Sequence, residues 1–189
     1  MRIACLGGGP AGLYFAISAK LRDPQHEIHV FERHKCGETF GWGVVFSDQT
    51  MGNLMANDPV SAAAMTESFA HWDDIEVSVS GHSVSSSGHG FIGIGRRNLL
   101  RILTERAQTL GVVVHFEHEF GSDIKDFADY DLVVASDGIN SQVRTTYADK
   151  FGVDIDVRRN RFCWLGTTRM FDAFAFLFEK TEAGWIWAH

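Results

Sequence analysis

Gly7, Gly9 and Gly12 stand in the spacing G-x-G-x-x-G, and an acid, Glu32, follows the last of them by twenty residues. Those residue types at those intervals suit the binding of a dinucleotide. The first glycine permits a tight turn from strand to helix, the second lets backbone approach a pyrophosphate, and the third lets the helix pack on the strand. The N-terminus of that helix, which begins at Ala11, supplies N–H donors and a positive dipole that favour an anion. The Glu32 carboxylate can accept hydrogen bonds from an adenosine ribose and would repel a 2'-phosphate, so NADP is disfavoured and NAD or FAD remains.

Two further stretches offer something to the same ligand. Arg96 and Arg97 open a long helical pattern, where the dipole makes a cation unfavourable by about 0.3–1 kcal/mol and a nearby phosphate would offset that cost. Asp137-Gly138 closes an apolar run at the carboxyl end of a strand, where open α/β sheets bind ligands, so Asp137 is positioned for cofactor hydroxyls. Each has a plainer structural reading, a solvated arginine pair and a capped Asp-Gly turn, and it is the combination with the glycine motif that points to one ligand.

The elements that must position these residues are legible as periodicities. Ile3 to Leu6 reads as a buried strand, Ala11 to Leu21 as a helix and Glu27 to Phe31 as a second strand. A loop-rich stretch, Lys35 to Asp48, leads to helical stretches around Gln49–Ala56 and Val60–Ala70. Strands are expected over Ile75–Ser80 and Phe91–Ile94, separated by a flexible Ser85–Gly90. From Arg97 to Leu110, apolar residues recur at three- and four-residue steps and Gly111 is placed to stop the helix. Val112–Phe116 is expected as a buried strand, Asp131–Ser136 as another, with a helix starting at Asn140 or Ser141. Beyond Gly152 the pattern turns to aromatic strands: Phe162–Arg169, then a hairpin of Phe174–Lys180 and Trp185–Ala188. Phe174, Phe176 and Phe178 share a face, as do Trp185 and Trp187, which fits a sheet's core face or the wall of a cavity.

Composition narrows the classes. The chain has 189 residues, 45% of them hydrophobic and 22% charged, which is ordinary for a chain that buries a core. A formal charge of -7 argues against a nucleic-acid partner. The three cysteines are far apart and lack C-x-x-C spacing, so neither a disulfide framework nor a thiolate metal site is expected. Of the nine histidines, His115 and His118 fall at an odd interval in a strand-like run that would send them to opposite faces, and no metal is expected. Ile3 to Ala19 is uncharged like a signal peptide, but Gly7, Gly8, Gly9 and Pro10 interrupt it. The reading is therefore a cytoplasmic protein without a membrane span.

Taken together, the opening motif with Glu32-Arg33, the pattern Arg96-x-x-Leu99-x-x-x-Leu103 and the segment ASDGINSQVR, Ala135 to Arg144, resemble the group A flavoprotein monooxygenases, aromatic hydroxylases related to p-hydroxybenzoate hydroxylase. Alanine more often stands where this chain has Ser136. Within that family, Gly41 to Phe46 and Arg161 to Thr167 look most like the hydroxylases of salicylyl- or anthraniloyl-CoA thioesters and like those of violacein biosynthesis. The resemblance implies an α/β, Rossmann-like FAD-binding domain of the GR2 type joined to part of an antiparallel β-sheet substrate domain. It assigns 1–70 and 95–150 to the FAD-binding portion and 71–94 with 151–189 to the substrate portion. It implies FAD as cofactor, NAD(P)H as co-substrate, and oxygen delivered to a small aromatic ring from a flavin C4a-hydroperoxide. Cofactor contacts are implied for Gly7, Gly9, Pro10, Ala11, Gly12, Glu32, Arg33, Gly43, Arg96, Asp137 and Gly138.

Family members continue for about as long again, so this chain is expected to be an N-terminal portion that leaves apolar surface and a sheet edge uncovered, binds FAD weakly and forms aggregates or oligomers. The alternatives are a flavin-binding piece without turnover and a simple NAD-dependent dehydrogenase, for which the second and third stretches would be coincidence.

Overall fold

In the computed structural model, residues 1–121 and 123–189 are described. Strand β1 (Arg2–Leu6) is an apolar run buried from Ile3 onward, as a central parallel strand must be. Helix α1 (Pro10–Arg22) follows at once and returns the chain to β2 (Glu27–Phe31), which pairs with β1 in parallel. A loop then leads into β3 (Gly43–Phe46), α2 (Asp48–Asn57), α3 (Pro59–Thr66), β4 (Ala70–Trp72), β5 (Ile75–Val79), β6 (His82–Ser86) and β7 (Phe91–Gly95). Helix α4 (Arg96–Thr109) ends where Gly111 takes φ +84°, the left-handed conformation that stops it. After it come β8 (Val113–His115), a single 3-10 turn (Ile124–Phe127), β9 (Leu132–Ala135), α5 (Gln142–Thr146), α6 (Ala148–Phe151), β10 (Phe174–Thr181) and β11 (Gly184–Ala188).

The first sheet is parallel throughout, in the order β8-β2-β1-β9. One of its faces meets α1 and α4 through Ile3, Cys5, Ile28, Val30, Leu13, Ile17 and Leu103. Its other face meets Phe127 and Val143 through Ala4, Leu6 and Phe31. A second sheet, β3-β7-β4, is antiparallel, and a third, β11-β10-β5-β6, is antiparallel except for the β10–β5 pair. A buried ion pair fastens α4 to α3: Arg106 donates to both oxygens of Asp58, the shortest contact being 2.8 Å, while Asp58 also caps α3. Burial alone would raise the Asp58 pKa, but the hydrogen bonds from Arg106 and Ser61 outweigh it and hold the carboxyl below its ordinary value.

Six expectations are corrected. Gly43–Phe46, expected within a loop-rich stretch, is a strand that pairs with β7. The helical stretch expected to reach Ala70 stops at Thr66, and Ala70 opens β4 instead. His82–Ser86 is a strand, because serine-rich sequence still completes a ladder when β5 offers a free edge. Val113–His115 is an outer strand, and Val113 is exposed. Phe162–Arg169 forms no strand: the backbone from 152 to 173 has no ladder partner among the described residues, and Phe162 remains 87% exposed. His115 and His118 do not part to opposite faces; both rings lie against Phe31, at 4.8 and 4.9 Å between centroids. The strand ends at His115, and Glu117 at φ +54° turns the chain back, so alternation no longer applies at His118.

The aromatic hairpin forms as expected, and its shared face is half-buried at Phe174, Phe176 and Phe178, with Phe174 against Phe91 and Trp72, but exposed at its tryptophan end. Phe178 stacks on Trp187, which is 56% exposed, and Trp185 is exposed as well. No helix of the described residues is long and apolar enough to cross a membrane.

Candidate dinucleotide-binding site

The glycine turn and the Asp137 corner are neighbours because β1 and β9 are. Leu6 pairs with Ala135, so the residues after each strand emerge side by side. At Gly7 (φ +111°) and at Gly12 a side chain has no room: a Cβ at Gly7 would meet the Ser136 carbonyl, and one at Gly12 would meet the Gly7 carbonyl and Ser136 Oγ. Ser136 Oγ donates across this junction to the carbonyls of Leu6 (3.0 Å) and Gly7 (3.2 Å). Ser136 thus ties the two turns together.

Gly9 caps α1 with no side chain bonded to the helix end, and a Cβ there would meet nothing within 4 Å. Pro10 occupies the first helical position and Ala11 is exposed beside it. Helix geometry leaves the N–H groups of Ala11 and Gly12 without intrahelical acceptors, and no acid stands in the first turn to compete for an anion. The end of α1 is therefore an open cradle of donors.

Glu32, just past the end of β2, closes one side of this cradle. Its Oε2 accepts from the Gly8 N–H at 2.8 Å, and its Oε1 accepts from the His34 N–H at 2.8 Å and from His34 Nδ1 at 2.7 Å. Arg33 is exposed next to it. Asp137 turns its carboxylate inward, where Oδ2 accepts from the N–H groups of Gln142 (2.8 Å) and Val143 (3.3 Å), and Gly138 takes φ +83°. In this arrangement Asp137 organises its own corner, as the plainer reading of that turn has it.

Arg96 reaches the site through the loop between β2 and β3. Its Nε donates to Thr39 Oγ1 at 2.9 Å and its N–H to the Trp42 carbonyl at 3.0 Å, while Arg97 is exposed. Phe40, next to Thr39, packs edge-on against His34 at 5.4 Å. A continuous chain of contacts thus runs from Gly8 through Glu32, His34, Phe40 and Thr39 to Arg96. Gly43 opens β3 opposite Gly95, the residue before Arg96.

Sequence reasoning missed His34, Thr39 and the tryptophan contacts that follow. Trp42 Nε1 donates to the Trp164 carbonyl at 3.3 Å, and the ring of Trp164 covers Gly41. The two stretches that separately resembled acyl-CoA hydroxylases, 41–46 and 161–167, therefore touch. Cys5 lies beneath the site in β1 and is inert, since burial pushes its thiol pKa up to about 12.

The parallel sheet, the glycine turn and the acid after β2 define the fold class: an α/β fold of the FAD-dependent oxygenase type. The structure superposes on a variant of 2-methyl-3-hydroxypyridine-5-carboxylic acid oxygenase with a TM-score of 0.63, covering 77% of this chain and 41% of that one at 21% identity. CtdE, solved with FAD and a substrate, gives a TM-score of 0.61 over 77% of this chain and 40% of its own, at 19% identity. No family model matches.

The sequence narrows this further. Over all 189 residues the chain is 44% identical to salicyloyl-CoA 5-hydroxylase of a Streptomyces species and spans 36% of that protein. It is 33% identical to the 3-hydroxy-4-methyl-anthranilyl-[aryl-carrier protein] 5-monooxygenase of Streptosporangium sibiricum, spanning 53% of it. Over 185 residues, 95% of the chain, it is 32% identical to protodeoxyviolaceinate monooxygenase of Chromobacterium violaceum, spanning 48% of that protein. The chain is a homologue of these aromatic-hydroxylating monooxygenases and spans between about a third and a half of their length.

Proposed function

We propose that the protein is an FAD-dependent aromatic ring hydroxylase that draws electrons from NADH or NADPH and uses dioxygen. The observation that carries this reading is the lateral contact of the turns Gly7–Gly12 and Ser136–Gly138 at the carboxyl ends of neighbouring parallel strands. It occurs in a chain whose named relatives are monooxygenases, which disfavours the dehydrogenase reading.

The residues present fit FAD. The open Gly9 edge and the free N–H groups of Ala11 and Gly12 suit the pyrophosphate, Glu32 and Arg33 the adenosine ribose, and Arg96 a phosphate. Gly43, Asp137 and Gly138 complete the set by resemblance. Bound FAD supplies the redox chemistry by which one oxygen atom of dioxygen enters the ring; the chain's own share is binding, orientation and exclusion of water.

An aromatic acyl thioester is the substrate we favour. Two relatives carry such a group in their names, on coenzyme A or on an aryl-carrier protein. The contact of 41–46 with 161–167 supports the same choice, because both stretches carried that likeness. A cytoplasmic site accords with the free thiols of Cys36 and Cys163, both exposed.

The purified chain mixed with FAD is expected to quench flavin fluorescence. Gly12→Ala is expected to lose that binding, since its Cβ collides with backbone of the glycine turn itself. NAD(P)H oxidation stimulated by aromatic acyl-CoA tests turnover in the protein that carries the chain. Absence of any flavin binding by the folded chain would overturn the reading.

A further inference from the structure

The Glu32 carboxylate is engaged by donors of the chain itself. It carries about four acceptor sites. Three are filled, by Gly8 N–H on Oε2 and by His34 N–H and His34 Nδ1 on Oε1. A carboxylate only accepts, so Nδ1 is the ring nitrogen that carries the proton. One acceptor site is left on Oε2 and none on Oε1, whereas a ribose diol asks for one on each.

We propose that His34 competes with the ligand at the ribose site: its imidazole holds the place of one ribose hydroxyl on Glu32 Oε1 and must swing off when the diol docks. The proposal rests on the reading that this site takes an adenine dinucleotide. The backbone contacts decide which way the effect runs. Gly8 N–H and His34 N–H hold one oxygen each, and the close approach of Glu32 Cβ to Gly8 fixes the side chain's root. The carboxylate therefore keeps its place without the imidazole, and the imidazole is a competitor rather than a support. Its ring is partly exposed and is backed by Phe40, whose neighbour Thr39 holds Arg96. Movement of His34 would thus reach the second side chain that awaits the cofactor.

The test uses FAD, ADP and 2'-deoxy-ADP with the wild-type chain, His34→Ala and His34→Gln. Calorimetry is expected to show His34→Ala binding FAD and ADP about fivefold more tightly than wild type, the worth of one competing hydrogen bond. It should bind 2'-deoxy-ADP, which offers a single hydroxyl there, unchanged. His34→Gln restores a donor at similar reach and is expected to return to wild-type affinity. In the ligand-free wild type, the His34 Nδ1 proton should give a downfield NMR resonance that disappears on addition of ADP. Weaker ADP binding by His34→Ala, equal changes for ADP and 2'-deoxy-ADP, or persistence of that resonance with ADP bound would each overturn the proposal while leaving the dinucleotide site intact. Failure of the folded wild type to bind FAD or ADP at all would remove the site and this proposal with it.

Discussion

The β1-α1-β2 unit and the stretch from 152 to 189 are both rich in large apolar residues, yet they end in opposite surroundings. Ile3, Leu13, Ile17, Ile28 and Val30 are sealed between the parallel sheet and its two covering helices. Phe162, Leu165, Met170, Trp185, Ile186 and Trp187 are exposed. Residue type does not separate the two regions, since both would contribute about 25 cal/mol per Å² of apolar surface if buried. Partners do: β1 is flanked by two strands and covered on both faces, whereas 152–173 lies outside every ladder and is tied down by indole N–H groups of Trp42 and Trp72. Apolar sequence becomes core only where a second surface arrives to cover it.

Ion pairs repeat the contrast and give the largest expected effect. Asp58–Arg106 and Asp156–Arg158 both close at 2.8 Å, but the Asp58 side chain is 1% exposed and that of Arg158 is 80% exposed. Arg106→Leu strands a buried carboxylate and is expected to cost about 3–5 kcal/mol in urea unfolding. Arg158→Leu should leave the urea midpoint where it is. Acid should act through the same pair. The Asp58 carboxyl is held below its unfolded value of about 3.9, so its contribution is complete above that pH and fades as pH falls through the lower folded value. His115 is depressed by burial and by His29 and His118, so its contribution likewise stands above the ordinary histidine range and is lost on acidification. Arg106→Leu should flatten the acid limb below the ordinary carboxylate range and leave the loss below the ordinary histidine range; an unchanged acid limb would show that the pair contributes nothing.

A matched pair of truncations comes next in size. Ile17→Ala removes a fully buried side chain between α1 and the sheet and is expected to cost about 2–5 kcal/mol. Ile186→Ala, at a position 60% exposed on the hairpin, should stay within about 0.5 kcal/mol. Comparable losses at the two sites would mean that the hairpin face is covered in solution, and sedimentation would then show association.

The same division governs how much could be read from sequence. The glycine turn, α1, β2, α4 and β9 were legible because their periodicity, caps and breakers all agree, as Gly111 shows at the end of α4. Lateral contact between the Gly7 turn and Asp137 was foreseeable from strand logic. The bond of Ser136 Oγ to Gly7 was not, since it depends on register across 129 residues. Strand β6 was missed because serine carries little β propensity and its pairing is supplied by β5. A strand at 162–169 was expected from alternation alone, which says nothing about an available edge. His34 gave no signal: its role arises from a backbone that returns its ring to Glu32 two residues earlier.

The smallest expected effect concerns how 152–173 is held. Trp42 offers one indole N–H to the Trp164 carbonyl at 3.3 Å, and its ring lies over Gly166. Trp42→Phe keeps a ring against the glycine and deletes the donor. An exposed, long hydrogen bond is worth little, about 0.5 kcal/mol, so the urea midpoint of the whole chain should hardly move. Local opening is another matter, because this stretch has no strand neighbours to share the load and its opening free energy lies near the bottom of the range in the molecule. A loss of that size raises the open population about twofold, and trypsin reads it directly at Arg161 and Arg169 on either side of Trp164. Cleavage there about twice as fast in Trp42→Phe, with cleavage at Arg22 in α1 unchanged, is the expected result. Equal acceleration at Arg22 would mean that the two regions open together, and the contrast between them would then be one of exposure rather than of stability.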